Sequence, residues 1–141
     1  MTEYCFVTQP DTLEATEIED IHSLYASAGW WDSEDDPTAH ILDLIRGSHC
    51  FLIAAEKGRI VGIGRAISDR ISDAYIQDVT VAKEYRLQGI GLNIIKQLVS
   101  RLRGDGIGWV GVIAESNSHA FYENVGFRSM VNCTPLLLQD A

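Results

Sequence analysis

Apolar residues along this chain recur at two different spacings, and the places where the spacing changes mark its elements. Ile90, Ile94, Ile95, Leu98, Val99 and Leu102 fall at helical spacing, which predicts an amphipathic helix over about 89–103. The run before it, Ala74-Tyr75-Ile76-Gln77-Asp78-Val79-Thr80-Val81, is rich in β-branched residues and predicts a strand over 74–82. Uninterrupted alternation would put Tyr75, Gln77, Val79 and Val81 on one face and Ile76, Asp78 and Thr80 on the other. Residues 51–56 and 59–68 flank Lys57-Gly58 and read as a hairpin. Residues 109–114 read as a buried strand, and 118–124 as a short helix ended by Gly126. Nearer the N-terminus, residues 5–9 read as a first strand. Thr16-x-x-Glu19 has capping-box spacing and opens a helix with Ile18, Ile21, His22 and Tyr25, stopping near Gly29. Asp36-Pro37 reads as the cap and first turn of a second helix carrying Ile41, Leu42, Leu44 and Ile45 to Gly47. Residues 127–132 and 136–139 remain as short final strands. Strands that lie both adjacent and across helices predict a mixed sheet with helices on both faces.

Composition narrows the class. A chain of 141 residues with 46% apolar content fits one domain, 1–141, with a proper core. No apolar stretch approaches the ~20 residues of a membrane span, and the first residues lack a signal-peptide pattern. Cys5, Cys50 and Cys133 are an odd, widely spaced set without zinc spacing, which points to reduced thiols in the cytoplasm. The net charge of −9 is uneven: residues 1–50 hold eleven carboxylates and one basic side chain, Arg46. Such a charge argues against a nucleic-acid partner. The acidic half either favours a cationic partner or simply solvates exposed helices.

The most informative segment is Arg86-Leu87-Gln88-Gly89-Ile90-Gly91, a glycine-bearing turn that feeds a helix start. Such a turn gathers unpaired N–H groups at the positive end of the helix dipole and seats phosphate. Its spacing matches neither a dinucleotide fingerprint nor a P-loop. Arg86-x-x-Gly89-x-Gly91 after a Val-x-Val strand resembles the acetyl-CoA pyrophosphate loop of the GCN5-related N-acetyltransferase (GNAT) superfamily. Asn117-Ser118-His119-Ala120-Phe121-Tyr122-Glu123-Asn124-Val125-Gly126-Phe127 resembles its second signature. The resemblance covers roughly residues 50–132. It implies an α/β (α+β) single-domain fold with a mixed, mostly antiparallel sheet of about six to seven strands. It also implies acetyl-CoA as cofactor, bound by Val79, Val81, Arg86, Leu87, Gln88, Gly89, Ile90, Gly91, Asn117 and Tyr122. The implied reaction is direct acetyl transfer to a primary amine, with a small-molecule acceptor, no nucleic acid or membrane as partner, and a homodimer left open. A silent acyl-CoA-binding module and a protein N-terminal or lysine acetyltransferase are the alternatives.

That chemistry needs a proton acceptor for an amine that titrates near 10.4, an oxyanion donor and an acid for the leaving thiolate. The resemblance carries the oxyanion donor to the backbone N–H of Val81, with Val79 as the second position. A β-bulge that splays this strand from the one at 109–114 would expose both. Tyr122 aligns with the tyrosine that protonates the thiolate; otherwise it is a core tyrosine beside Phe121. Asn117 binds the coenzyme arm or caps the following helix. Glu115 binds or deprotonates the amine, or is a solvated loop carboxylate. Asp78 needs a partner in an apolar strand and is either an anchor to Arg65 or a base. Tyr75 and Gln77 are expected to line the acceptor pocket. Trp30 and Trp31, followed by Asp32, Glu34, Asp35 and Asp36, either contact the acceptor or cover the core. His22, His40, His49 and His119 show no metal spacing and read as structural.

Overall fold

The hairpin of β2 (Cys50–Glu56) and β3 (Arg59–Ser68) forms the middle of the sheet. The computed structural model describes residues 1–32 and 36–140. β1 (Glu3–Phe6) pairs antiparallel with β2, and β4 (Asp73–Val81) pairs antiparallel with β3. β5 (Trp109–Val112) adds parallel to β4, giving the order β1-β2-β3-β4-β5. Asp69 makes the β3–β4 turn: its Oδ1 accepts the N–H groups of Ile71, Ser72 and Asp73. Those donors hold the Asp69 carboxyl far below the usual carboxylate range.

Alternation along β2 divides the interior into two cores. Phe51 and Ile53 face α1 (Ala15–Ser27) and α2 (Thr38–Gly47), packing with Ile18, Ile21, Leu24, Tyr25, Ile41 and Ile45. Leu52 and Ala54 face α3 (Ile90–Gly104) and meet Ile90, Ile94, Ile95, Leu98 and Leu102, the apolar stripe read from the sequence. The short α4 (His119–Glu123) follows β5 on the α3 side, where Phe121 and Tyr122 pack against that core. Helices therefore cover both faces, as expected. Among the described residues no helix is long and apolar enough to cross a membrane.

Three expectations are corrected. The sheet has five strands rather than six or seven, because 127–132 and 136–139 do not pair. Asn132 sits at φ 60, Pro135 lacks a donor, and Leu136, Leu137 and Leu138 follow one another without alternation, all exposed. The capping box of α1 is Glu14 with Glu17, not Thr16 with Glu19. Asp36 accepts the N–H of Thr38 at 3.0 Å, but α2 begins at Thr38 with Pro37 in the cap position, one residue later than expected. Glu34 and Asp35 lie outside the described residues.

α3 lies close on the sheet because β3 presents glycine to it. A Cβ on Gly64 would sit 2.6 Å from Ile94 Cγ2 and 3.0 Å from Leu98 Cδ1. Gly64→Ala is expected to cost about 1–3 kcal/mol by overpacking. Urea unfolding of the purified variant reads this directly; a midpoint equal to wild type would show that α3 has room to move.

Candidate active site

β4 carries one residue more than β3 where they pair. Ile63 faces Thr80 and Arg65 faces Gln77, so Asp78 is the bulged residue, in the left-handed region at φ 58. The bulge resets the alternation. Ala74 and Ile76 face α3, and so do Val79 and Val81 beyond it, while Asp78 turns toward α1. The expected face shared by Tyr75, Gln77, Val79 and Val81 does not exist, for this reason.

The bulge also opens the sheet. β5 pairs with β4 only from Asp73 to Ile76, and beyond that point the two strands separate. Ala82 N–H donates to Val61 C=O, so Gly62 and Val81 form a pair whose own backbone groups point away from β3. The N–H groups of Val81 and Val79 then face the gap left by β5. A cleft lined by Trp30, Gln77, Asp78, Val79, Glu115, Ser118 and Tyr122 occupies this gap. Val81 is not part of the lining. It lies further along, where its C=O accepts Arg86 Nε at 3.0 Å.

Asp78 is held from two sides. Arg65 Nε donates to its Oδ2 at 2.6 Å and Tyr25 Oη to the same oxygen at 2.7 Å. The Arg65 and Asp78 side chains are only 16% and 20% exposed. Asp78 is thus the structural anchor to Arg65 that the sequence left as one of two readings. Burial, reinforced by the Asp78 charge, pushes the Tyr25 phenol well above its ordinary range and keeps it a donor.

Glu115 is exposed at the mouth of the cleft, after β5. Two consecutive left-handed residues, Ser116 (φ 53) and Asn117 (φ 62), then turn the chain into α4. The helix cap is Ser118, not Asn117, and Asn117 is exposed in this turn. Tyr122 projects from α4 with its ring edge-on to Phe121 and Phe127. Gly126, at φ 109, makes the turn that brings Phe127 back. Burial first, and then the charge of Glu115, raises the Tyr122 pKa, so the phenol is protonated at neutral pH.

Beyond Val81, the loop from Arg86 enters α3 through two left-handed residues, Leu87 (φ 64) and Gly89 (φ 83). Gln88 and Gly89 are exposed and Ile90 is buried under the first turn. Gly91 has a packing reason: a Cβ there would stand 3.1 Å from Phe121 Cζ. The gap that Gly91 leaves lets α4, and with it Tyr122, sit against α3.

Two residues expected at the acceptor are placed elsewhere. Tyr75 stands edge-on to Trp109, with ring centroids 5.1 Å apart, and is not part of the cleft lining. Trp31 stacks on Tyr25 with centroids 3.9 Å apart, so its ring covers the core, while Trp30 lines the cleft. Tyr25 itself was legible only as a buried helix position; nothing in its spacing announces a partner 53 residues away.

With this geometry in place, the comparisons with known proteins agree. The acetyltransferase (GNAT) domain family matches residues 32–134. The chain belongs to the GNAT acetyltransferase family. It is 38% identical over 74 residues to a histone acetyltransferase, TAP1, of Glycine max, covering 52% of this chain and 32% of that protein. It is 32% identical over 74 residues to serotonin N-acetyltransferase 2, chloroplastic, of Oryza sativa subsp. japonica, covering 52% of this chain and 37% of that protein. The chain thus spans about a third of the length of these curated relatives. A probable acetyltransferase of unknown function from meticillin-resistant Staphylococcus aureus has the same fold. Its TM-score is 0.78 at 19% identity, with 100% of each chain covered.

The anchor at Asp78 sets a stability contrast. Arg65→Leu leaves a largely buried carboxylate unpaired and is expected to cost about 3 kcal/mol or more. Arg46 pairs with Asp11 at the surface, so Arg46→Leu should cost less than about 1 kcal/mol. Urea unfolding of both variants at pH 7 checks this; equal midpoints would contradict the anchoring role.

Proposed function

We propose that the chain is an acetyl-CoA-dependent N-acetyltransferase that passes the acetyl group directly to a small primary amine. The observation that carries this reading is the cleft between β4 and β5, where Val79, Glu115 and Tyr122 line one wall-to-wall space. The coenzyme's pyrophosphate lies on the N–H groups of 87–91 at the start of α3, with Arg86 beside it. Its pantetheine arm would fill the gap left by β5 and accept from the outward N–H of Val81, whose C=O is already held by Arg86. Asn117 flanks the arm from the opposite side.

In the reaction, the neutral amine attacks the thioester carbonyl and forms the new C–N bond. The Val79 N–H, which lines the cleft, donates to the resulting oxyanion; this moves the donor assigned from sequence one step back from Val81. The C–S bond then breaks, the Tyr122 phenol gives its proton to the departing thiolate, and the proton shed by the new amide nitrogen returns to the phenolate through water. Glu115 receives the ammonium and accepts its proton, directly or through water. Asp78 does not compete for that role, since Arg65 and Tyr25 already occupy its carboxylate. Trp30 and Gln77 border the acceptor.

The rice relative's name favours an arylalkylamine acceptor, and an exposed indole beside a carboxylate suits one. The soybean relative's name favours a second reading, a lysine in a protein. A CoA-release screen over arylalkylamines, polyamines, amino acids and lysine peptides tests both readings. Turnover with a small amine is expected; release with peptides alone would select the second, and release with none would contradict catalysis.

With an amine substrate identified, Tyr122→Phe should lower kcat about a hundredfold, with acetyl-CoA affinity nearly unchanged. An unaltered kcat would assign the phenol to packing alone. Glu115→Gln should raise the KM of cationic acceptors, and the preference for them over carboxylated ones should fade with added salt. Its pH–rate profile should lose the limb that reports the base; an unchanged profile would leave Glu115 a binding group only.

A further inference from the structure

Tyr25 touches Trp30, Trp31 and Asp78, and the catalytic steps above use none of its atoms. It lies on α1 with 1% of its surface exposed. Its backbone C=O accepts the N–H of Trp30 at 3.2 Å, a turn made possible by Gly29 at φ 80. Its ring stacks on Trp31, nearly parallel at 9°, and meets Trp30 edge-on with centroids 6.0 Å apart. Its hydroxyl donates to Asp78, the bulged residue next to Val79. One side chain thus joins the loop after α1 to the bend of β4, 53 residues away in sequence.

We infer that Tyr25 is a positioning residue that ties the tryptophan loop on the acceptor side to the bulge presenting the Val79 N–H. The tie rests on the reading of the cleft given above. An L-residue at φ 58 is costly, and the bulge keeps that conformation only while its surroundings hold it there. Arg65 and Tyr25 supply the holding, from the sheet and from α1 respectively. Arg65 is itself steadied by Ser48 at the end of α2, whose Oγ accepts Arg65 Nη1 at 3.3 Å. Arg65 fixes the charge of Asp78, whereas the Tyr25 hydroxyl transmits the position of the loop. Displacement of Trp31 would tilt the Tyr25 ring, move its hydroxyl and swing the peptide that carries the Val79 N–H. The acceptor loop and the oxyanion donor would then act as one unit.

A double-mutant cycle tests this with Tyr25→Phe, which keeps the stack and removes the hydroxyl, and Trp31→Leu, which removes the stack. The first readout is the ratio of the Kd for CoA to that for acetyl-CoA. The two ligands differ by the acetyl group, whose carbonyl the Val79 N–H receives, and no acceptor is required. The second readout is kcat against acceptor KM. Tyr25→Phe should reduce the preference for acetyl-CoA about fivefold, the worth of one hydrogen bond, and lower kcat more than it raises KM. Trp31→Leu should act in the same direction, and the double variant should be no worse than Tyr25→Phe alone. Effects that multiply, or a lowered melting temperature with the preference intact, would overturn the tie. If Tyr25→Phe does not fold, Asp78→Asn and Asp78→Ala replace it. Asparagine still accepts the hydroxyl and tolerates the left-handed region, so it should keep the preference within about twofold, whereas alanine should lose it. Equal behaviour of those two would overturn the tie as well. A wild type that prefers acetyl-CoA but acetylates no acceptor would contradict the proposed function and leave the cycle readable through the ratio of the two Kd values. A wild type without the preference would contradict both.

Discussion

Asp78 adds one residue to β4 opposite Gly64, and the geometry of the cleft depends on that insertion. The inserted residue turns its side chain toward α1 and returns Val79 and Val81 to the α3 face. The backbone between them bends away from β5, whose pairing stops at Ile76. Two N–H groups that a regular sheet would bury in a ladder are left facing the gap beside β5, and of the two residues Val79 lines the cleft. Such a bend needs compensation nearby. The Arg65 guanidinium and the Tyr25 hydroxyl provide it on one face, and Gly64 leaves space for Ile94 and Leu98 on the other.

Environment separates two carboxylates that lie close to one another. Asp78 is shielded and already bonded to an arginine and a tyrosine, so it serves the frame. Glu115 stands exposed at the rim, on a turn strained through Ser116 and Asn117, which suits the role proposed for it. Tyr122 sits between the hydrophobic edge made by Phe121 and Phe127 and the charge of Glu115. Both influences keep its proton in place, which is the state an acid for a thiolate requires. Beyond Val81, left-handed Leu87 and Gly89 shape the loop that begins α3.

Much of this was legible in the chain because it is local. The helical spacing from Ile90 to Leu102 became the α3 stripe, the Lys57-Gly58 hairpin formed at the expected residues, and Asp36 bonded the first N–H of α2. The two signatures located the turn that begins α3 and the short α4 that carries Tyr122. Long-range features were not legible. A bulge leaves no periodic trace, so alternation assigned Tyr75 to the pocket and missed the reset at Asp78. The solitary aspartate in an apolar strand was the one hint, and it identified Arg65 but not Tyr25. Trp30 and Trp31 looked equivalent in sequence; a turn at Gly29 sends one to the cleft and the other onto Tyr25. The final strands failed where residue type alone suggested extension, since Asn132 and Pro135 interrupt the run.

In the proposed reaction the Val79 amide is the point at which fold and chemistry meet, and its proton would report on the thioester directly. An amide NMR titration of the isotopically labelled protein with CoA and then with acetyl-CoA would follow it. Both ligands should move the resonances of residues 87–91, while only acetyl-CoA should shift the Val79 proton strongly downfield. A Val79 resonance that responds identically to the two ligands, or to neither, would contradict an oxyanion site built by the bulge at Asp78.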